Sequence, residues 1–268
     1  MLFYPLKIYI LFILQHFIKL IMSKLKNSFS DLLRKTSLLY TADYIKFIFQ
    51  KIKNFNSNRK FKKRYPSFAL PPDYFLYETF SLNYHQYMYQ GKWMASEIID
   101  IIKPLTDLSI PGKKILDWGC GPARVVRFLP ELLTEKHLIY GTDYNEKYID
   151  WCNSSLKEVN FKHNKISPPL DFENNCFDVI YSISILTHLS EKKHYEWINE
   201  ILRVMKPGGI LIITTQGKAF KDKMLNSEIL QFEKGEIVVR NFFKEGHRIF
   251  SAFQPEEFMI KLLKNFKI

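Results

Sequence analysis

Cysteine and glycine are scarce in this sequence, and what is missing narrows the chemistry available to it. The 268 residues include only 3 Cys and 10 Gly. Cys120, Cys152 and Cys176 lie far apart, without the Cys-x-x-Cys or Cys/His spacing of a zinc site. This spacing argues against a disulfide framework and against a zinc centre, and it suits a reducing cytoplasm. We therefore predict a site without a metal ion.

Acidic residues are nearly absent from the first quarter of the chain. Residues 1–65 carry 14 Lys and Arg against 2 Asp and Glu, whereas the remaining residues carry 25 of each kind. The formal charge of +12 therefore belongs to an N-terminal arm, and the rest of the chain is neutral. A basic arm on a neutral core makes nucleic acid a less favoured partner than a membrane surface or a small acceptor.

The arm begins with an apolar run, "LFYPLKIYILFILQHFIKLIM", at residues 2–22. Two lysines and a Gln-His pair make this run a poor membrane span. Three interpretations stay open: a membrane-surface helix backed by basic residues, a helix that packs on the domain, or an upstream extension before a start at Met22. A secretory signal is less favoured, because the apolar run is not succeeded by a small-residue cleavage site. We expect a cytoplasmic protein, with the inner face of a membrane as a candidate partner.

Beyond the arm, the pattern divides the chain into a cap and a core. Residues 66–112 are aromatic and proline-bounded, with an amphipathic helix predicted from Lys92 to Ile102. From residue 113 to 268, short apolar strands alternate with amphipathic helices, and one of these helices is predicted at 122–133. Such alternation predicts an α/β domain with a doubly wound, mostly parallel, Rossmann-like sheet. An insertion at about 217–254 interrupts this core.

A glycine-containing turn comes directly after the first predicted strand in "ILDWGCGPAR", residues 115–124. Gly119 and Gly121 allow a backbone to approach a ligand where a strand turns into a helix. Asp117 ends the first strand and Asp143 ends the second, in "GTD". A carboxylate at the second position accepts hydrogen bonds from both hydroxyls of a ribose, so the pattern predicts a nucleoside site.

The dinucleotide fingerprint Gly-x-Gly-x-x-Gly fails here, because Arg124 stands in place of its third glycine. The turn resembles instead the Asp/Glu-x-Gly-x-Gly-x-Gly loop of class I S-adenosylmethionine-dependent methyltransferases, with Ala123 replacing the last glycine. "FDVIYSISILTHL" at 177–189 and "ILRVMKPGGILIITT" at 201–215 resemble later parts of the same family. The resemblance extends over about residues 90–216 and implies an enzyme with S-adenosylmethionine as its cofactor. Within the family, the chain resembles bacterial members associated with surface glycans.

The resemblance also assigns site residues. Asp117, Gly119 and Gly121 are expected to hold the methionine part of the cofactor, Asp143 its ribose and Asn164 its adenine. The expected cofactor site further includes Cys120, Tyr144 and Ser182. His188, in the loop after the fourth strand, is the candidate base for proton removal, and its competing role is to close the cofactor pocket. The aromatic residues of the cap either wall an acceptor pocket or pack in the core, namely Tyr84, His85, Tyr87, Tyr89 and Trp93.

The C-terminal part departs from the family pattern. Members of this fold usually complete the sheet with an antiparallel hairpin after the last helix, and this sequence stops shortly after "QPEEFMIKLLKNF". Without that hairpin, "ILIITT" is expected to become an exposed apolar edge. A truncated product, a partner or oligomer at that edge, and an insertion that folds back over it are the alternatives.

The expected function is methyl transfer to an oxygen of a sugar, glycan or lipid-linked small molecule. The alternatives are an RNA methyltransferase that grips its acceptor through the basic arm, and an inactive remnant that only binds the cofactor. An RNA acceptor predicts binding that weakens steeply with salt.

Overall fold

The computed structural model describes residues 38–240 and 244–267. It contains a central sheet of five parallel strands in the order β3-β2-β1-β4-β5. This arrangement confirms the predicted doubly wound, Rossmann-like fold. The strands are β1 (Lys114–Trp118), β2 (Leu138–Asp143), β3 (Asn160–His163), β4 (Phe177–Ser182) and β5 (Met205–Ile213). The apolar run at 2–22 lies outside the described residues.

Helices cover both faces of this sheet and build the cap. The cap and the first layer contain α1 (Leu38–Arg64), α2 (Asp73–Thr79) and α3 (Tyr84–Ile102). The connections contain α4 (Leu129–Leu132), α5 (Glu146–Ser155) and α6 (Glu191–Val204). The C-terminal part contains α7 (Asn226–Glu233) and α8 (Glu256–Leu262). Short 3₁₀ turns cover Val126–Phe128, Leu186–His188 and Lys218–Lys223.

The core lies on both faces of the sheet, because the central strands are apolar on both sides. Ile115 and Leu116 of β1 are buried, and they belong to the two different clusters that cover opposite faces. Parallel strands covered by helices on both faces read as continuous apolar runs, as "KILDW" and "FDVIYS" do. The carboxyl ends of β1 and β2 consequently meet at one edge, where the glycine turn lies.

Helix α3 is longer than predicted and is part of the core. It begins at Tyr84, where the side chain of Asn83 accepts a hydrogen bond from the N–H of Gln86, and not at Lys92. Its apolar face packs against the strands through Ala95 and Ile98. Tyr87 is fully buried, and its hydroxyl donates to the carbonyl of Pro122 at 2.6 Å. The aromatic residues before Lys92 therefore extend the helix.

The five cap residues that the sequence singled out, Tyr84, His85, Tyr87, Tyr89 and Trp93, do not line the cavity at the carboxyl ends of β1 and β2. Tyr84 and Tyr87 are buried in the cap core, whereas Tyr89 and Trp93 are exposed. His85 stacks against Tyr89 at the surface, with ring centroids 4.1 Å apart. Core packing is therefore the correct interpretation for Tyr84 and Tyr87.

The helix predicted at 122–133 is wrong for most of its length. Ala123 has a φ of 57°, which interrupts a right-handed helix directly after the glycine turn. The chain continues into the 3₁₀ turn at Val126–Phe128 and the four-residue α4, with Pro130 in its first turn. Pro130 has no N–H to donate, so its position at a helix start is a favourable one.

The predicted insertion contains a small sheet of its own. Strands β6 (Val238–Arg240) and β7 (Ser251–Phe253) pair antiparallel and do not join the main sheet. Among the described residues, β5 is paired with β4 alone and is therefore an edge strand. Its residues Ile210–Ile213 are half-buried. Leu211 and Ile213 pack in the cluster that contains residues of β7 and the C-terminal helix, whereas Ile210 and Ile212 pack on the opposite face of the sheet.

Helix α1 presents an apolar face to the cap and another to solvent. Phe47 and Phe61 are buried against the cap, while Ile45, Phe49 and Ile52 are among the exposed large apolar side chains. The C-terminal turns of the helix are basic instead. In the described part of the chain, no helix combines the length and the apolar character needed to cross a membrane.

Candidate cofactor and acceptor site

A cavity of about 450 Å³ lies at the carboxyl ends of β1 and β2. It is lined by residues from the glycine turn, the cap and the insertion. Of the residues predicted from the sequence, it brings together Asp117, Gly119, Cys120, Gly121, Asp143, Tyr144 and His188. A crevice outside the strand ends is where open parallel sheets bind ligands. The structure therefore places most of the predicted site in one cavity.

Asp143 is held by the backbone of the glycine turn. Its Oδ2 accepts a hydrogen bond from the N–H of Gly121 at 2.9 Å, and its Oδ1 accepts one from Asn145 at 2.8 Å. Burial raises the pKa of Asp143 to about 6, although these N–H groups act in the opposite direction. Each carboxylate oxygen keeps a second lone pair, so both remain able to accept a ligand hydroxyl. The geometry fits a ribose diol.

Asp117 is paired with a residue that the sequence patterns did not single out. The Tyr181 hydroxyl donates to Asp117 Oδ2 at 3.0 Å, from the neighbouring strand β4. Burial raises the pKa of Asp117 to about 7, while this hydrogen bond and the positive charge of Arg124 lower it. A buried carboxylate beside a cavity gains from a cationic partner, such as the ammonium group of a bound amino acid.

The two glycines of the turn have left-handed backbones, and protein side chains pack closely against both. Gly119 has a φ of 80°, and a Cβ at this position would meet the Ile185 side chain at 2.2 Å. Gly121 has a φ of 52°, and a Cβ there would meet Thr79 of the cap at 3.3 Å. Cys120 between them is buried, and burial raises the pKa of its thiol well above the usual value. A neutral thiol of this kind is a poor nucleophile, so Cys120 fills space beside the turn.

Asn164 lines a second, smaller pocket of about 40 Å³ that shares Gly119, Asp143 and His188 with the main cavity. Its Nδ2 donates to the carbonyl of Lys165 at 2.7 Å, while its buried Oδ1 has no hydrogen-bond partner. A buried acceptor without a partner is costly, so a ligand amino group at this place would satisfy it. An exocyclic amino group such as that of adenine has the donor chemistry that this oxygen lacks.

Tyr144 and Ser182, two further residues predicted to bind the cofactor, lie at different places relative to the two pockets. Tyr144 lines both pockets, is 38% exposed, and donates through its hydroxyl to the carbonyl of Gly246 in the insertion at 2.9 Å. Ser182 is buried at the end of β4, its Oγ has no hydrogen-bond partner, and it lines neither pocket. The three residues after it line the main cavity instead. We therefore do not place Ser182 in direct contact with a ligand.

Several lining residues come from parts of the chain that sequence patterns did not connect with the glycine turn. The cap contributes residues 78–80 from the end of α2, and the insertion contributes residues 246–248. Tyr148 of α5 donates to the carboxylate of Glu78 at 2.7 Å, which ties the cap to the core. Long-range contacts of this kind leave no local signal. The aromatic, proline-bounded composition of residues 66–112 marked the cap as distinctive without identifying these lining residues.

Arg124 lines the cavity without a hydrogen bond or an ion pair to any described residue. Its guanidinium lies 4.4 Å from the centroid of the Phe80 ring, an arrangement of the cation–π kind. Burial lowers the pKa of Arg124, while the negative charge of Asp117 raises it. This half-buried cation lines the cavity, so it is a candidate for contact with an anionic ligand group.

His188 lies at the mouth of the site and is held by the insertion. Its Nδ1 is 2.9 Å from the carbonyl oxygen of Phe250, so Nδ1 carries the proton and donates. Burial lowers the pKa of His188, which favours the neutral ring. Its Nε2 is then an unprotonated acceptor, and the ring lines both pockets. The geometry is compatible with proton removal and also with pocket closure.

A comparison with protein families matches residues 115–209 to the family described as "Methyltransferase domain". A comparison with curated proteins finds tRNA N(3)-methylcytidine methyltransferase trm140 of Schizosaccharomyces pombe, 24% identical over 77% of this chain and 70% of that protein. It also finds tRNA N(3)-methylcytidine methyltransferase Mettl2 of Drosophila melanogaster, 22% identical over 62% of this chain. This chain spans only 52% of the length of Mettl2.

Solved structures also resemble the chain. One is magnesium protoporphyrin IX methyltransferase from Synechocystis PCC 6803 with bound SAH, which is 17% identical. The match covers 82% of this chain and 88% of that protein, with a TM-score of 0.45.

Proposed function

We propose that this chain, whose residues 115–209 match a methyltransferase domain, transfers a methyl group from S-adenosylmethionine to a nucleotide of an RNA. The family match confirms the predictions of a methyltransferase and of S-adenosylmethionine as its cofactor. The observation that carries the choice of RNA is the similarity to two tRNA methyltransferases, because it extends over 77% of the chain in one case. It therefore reaches well beyond residues 115–209.

This proposal replaces the sugar, glycan or lipid-linked acceptor that the sequence alone favoured. Neither of these two relatives supports a glycan acceptor, and nucleic acid becomes the leading partner. The basic residues of the first quarter then serve an acceptor of opposite charge, as the RNA alternative expected. In this proposal the core, which carries no net charge, binds the cofactor, while the basic surfaces outside it bind the RNA.

The cavity walls suit a planar acceptor. Side chains with flat faces surround the space between cap and insertion, namely Phe80, Tyr144, Tyr148, His188 and His247. RNA is read mainly through unpaired bases, which stack on aromatic side chains and on guanidinium planes. An unpaired base inserted at this mouth would meet Tyr144, whose ring is the most exposed of the tyrosines that line the cavity.

The residues of the cavity have separable roles in methyl transfer. When bound, S-adenosylmethionine supplies an electrophilic methyl group on a sulfonium. Asp143 would hold its ribose, Asn164 its adenine, and Asp117 the ammonium of its methionine part. The cap and the insertion, through residues 78–80 and 246–248, would exclude water and align the acceptor.

The test is transfer of a labelled methyl group from S-adenosylmethionine to RNA. Full-length protein is incubated with total RNA, and separately with a membrane and glycan extract, and the label is traced into each fraction. We expect the label in RNA, at a nucleotide that digestion and mass spectrometry then identify. Label that enters only the glycan or lipid fraction would overturn the RNA acceptor and leave the methyltransferase assignment intact.

The presence of a group that can remove a proton favours a second candidate, a hydroxyl acceptor on a glycan or lipid-linked molecule. An alcohol must lose its proton as the methyl group is transferred, and the neutral His188 Nε2 is placed to accept it. A base nitrogen with a free lone pair needs no such step. The exposed apolar face of α1 also suits an acceptor carried by a membrane.

His188→Gln separates a hydroxyl acceptor from a base nitrogen of RNA. With a hydroxyl acceptor, loss of the base lowers kcat by about 10²–10⁴-fold. With a nitrogen acceptor, kcat changes by less than about tenfold, because the proton transfer is absent. The affinity for S-adenosylhomocysteine is measured alongside, since a residue that only closes the pocket would change that affinity more than kcat.

A further inference from the structure

We propose that a groove between α1 and the beginning of α2 binds the phosphate backbone of the RNA acceptor. This inference rests on the proposed function of RNA methylation. The groove is separate from the cofactor cavity and encloses about 460 Å³. Its walls carry four cationic side chains, Lys51, Arg59, Lys62 and Lys63, against the single carboxylate of Asp73.

Most of this positive charge is not compensated within the protein. Lys51 lies 3.1 Å from Asp73, so that pair is neutral overall. Arg59, Lys62 and Lys63 form no ion pair with any carboxylate in the described ranges. Three uncompensated cations on two turns of one helix repel one another, and a polyanion relieves this repulsion by displacing its own counterions.

The floor of the groove is recessed and polar. Asn58 is buried, donates to the carbonyl of Leu82 at 3.2 Å, and accepts from the N–H of Tyr84 at 3.0 Å. Tyr84 is buried as well, and the Lys62 ammonium lies 5.4 Å from the centroid of its ring. These contacts hold the floor of the groove in place, and the cationic side chains line its edges.

An aromatic side chain interrupts the row of cations. Phe55 lines the groove and is 61% exposed. Cations that track a backbone, combined with aromatic rings on which bases stack, are typical of surfaces that bind single strands without sequence preference. Phe55 therefore offers a stacking surface next to the phosphate contacts.

The groove lies within reach of the cofactor cavity. Asp73, at the first residue of α2, lines the groove, while Glu78 and Thr79, at its other end, line the cavity. A seven-residue helix is about 10 Å long. One RNA strand is long enough to place a nucleotide in the cavity while its neighbouring phosphates lie in the groove.

Charge and shape favour RNA over two other occupants. A second copy of the chain is disfavoured, because α1 carries eight Lys and Arg against one Asp and would be repelled by another α1. A flat anionic membrane would meet the exposed apolar residues Ile45, Phe49 and Ile52 at the start of α1 rather than the recessed floor at Asn58. A flexible, linear polyanion such as a single RNA strand fits the groove.

The test measures the affinity of full-length protein for a fluorescein-labelled single-stranded RNA across a salt series, with S-adenosylhomocysteine present. The variant is the triple replacement Arg59→Gln, Lys62→Gln and Lys63→Gln. Each phosphate contact on a single strand contributes about −0.7 to the slope of log affinity against log salt. We expect the variant to bind at least about tenfold more weakly near 0.1 M salt, with a slope smaller in magnitude by about 2.

The matched control neutralises three exposed lysines away from the groove, Lys136→Gln, Lys234→Gln and Lys264→Gln. It removes the same charge and is expected to keep most of the affinity and of the slope. Both variants should bind S-adenosylhomocysteine as the unmodified protein does, which shows that they are folded. If the groove variant and the control lose the same affinity, net charge is responsible and the proposed groove is wrong.

Further outcomes separate the groove from the proposed function. Groove-dependent RNA binding without methyl transfer to any RNA would support the groove and contradict the function. Methyl transfer to RNA with an unchanged KM in the groove variant would contradict the groove and support the function. Binding to phosphatidylserine vesicles that is lost in the groove variant, with no binding of RNA, would assign the surface to a membrane and overturn the proposal.

Discussion

The hydroxyl of Tyr181 donates a hydrogen bond of 3.0 Å to the carboxylate of Asp117 inside the sheet. Both side chains are buried, and their Cα atoms are direct partners on the neighbouring strands β1 and β4. The bond stabilises the charged form of a carboxylate that burial drives toward the neutral form. Asp117 is therefore poised to change charge near neutral pH, at the end of the cavity assigned to the methionine part of the cofactor.

The first prediction concerns the pH dependence of stability in the ligand-free protein. The pKa values of Asp117 and Asp143 are raised to about 7 and about 6, so the folded state holds protons that the unfolded state releases near pH 4. The stability that these two groups contribute is present below about pH 4 and is lost as the pH rises through 6 and 7.

Thermal unfolding between pH 5 and 8 measures this effect, with both sites replaced by Asn as the reference. We expect Tm of the unmodified protein to fall more with rising pH than Tm of the Asp117→Asn, Asp143→Asn variant. Equal slopes would show that neither carboxyl has a raised pKa.

The second prediction concerns cofactor affinity and Tyr181. Because the charged form of Asp117 is the one that pairs with an ammonium, affinity for S-adenosylhomocysteine should rise as the pH rises through about 7. Tyr181→Phe removes a bond that stabilises this charge, so the midpoint should move to higher pH. Calorimetric titration across the pH range measures the midpoint. An unchanged midpoint in the variant would contradict the role of Tyr181.

The third prediction separates backbone strain from crowding at the glycine turn. Gly119 and Gly112 have similar φ values of 80° and 84°, but a Cβ at Gly119 would meet Ile185 at 2.2 Å, whereas a Cβ at Gly112 meets nothing within 4 Å. Gly112→Ala should cost about 1–2 kcal/mol from the left-handed backbone alone. Gly119→Ala should lower the free energy of unfolding by more, and should also weaken cofactor binding. Denaturant unfolding compares the two variants, and equal losses would contradict the proposed crowding.

The fourth prediction tests Arg124 as a partner of an anionic ligand group. Among the described residues, the guanidinium of Arg124 lies over the Phe80 ring and forms no hydrogen bond or ion pair. The methionine part of the cofactor ends in a carboxylate, which is a suitable partner for this guanidinium. Arg124→Gln should weaken S-adenosylhomocysteine by about tenfold, in line with a charge-assisted hydrogen bond. Affinity for 5′-methylthioadenosine, which lacks the amino acid part, should stay unchanged. Equal weakening of both ligands would show that Arg124 supports the pocket generally.

The sequence predicted the sheet well because its signals are local. The central strands β1, β2 and β4 are short, largely apolar runs, and the glycines and acids at the ends of β1 and β2 lie next to those runs. Residues such as Asp117 and Asp143 therefore lie where a parallel sheet must place them. The same local reasoning failed at 122–133, where the positive φ of Ala123 interrupts a pattern that looks helical.

The rest of the site depends on contacts between distant parts of the chain. Arg248 lines the cavity from the insertion and lies 3.6 Å from Asp43 on α1. Tyr144 reaches Gly246, 102 residues away in the sequence. Periodicity and local motifs do not reveal such pairings, so the sequence offered other cap residues as pocket walls and missed residues 78–80 and 246–248, which line the cavity. The acceptor class stays a proposal for a related reason, because charge at the arm does not by itself identify a ligand.

The central claim is that this protein transfers a methyl group from S-adenosylmethionine to RNA through the cavity built around Asp143. The most direct measurement traces a labelled methyl group from the cofactor into purified RNA, with the unmodified protein and with Asp143→Asn in parallel. Loss of the ribose contact is expected to cost about 1.5–3 kcal/mol of cofactor binding. We expect label in RNA with the unmodified protein and at least about tenfold less with the variant at limiting cofactor. Folded protein that binds S-adenosylhomocysteine and leaves every RNA unlabelled would contradict the claim.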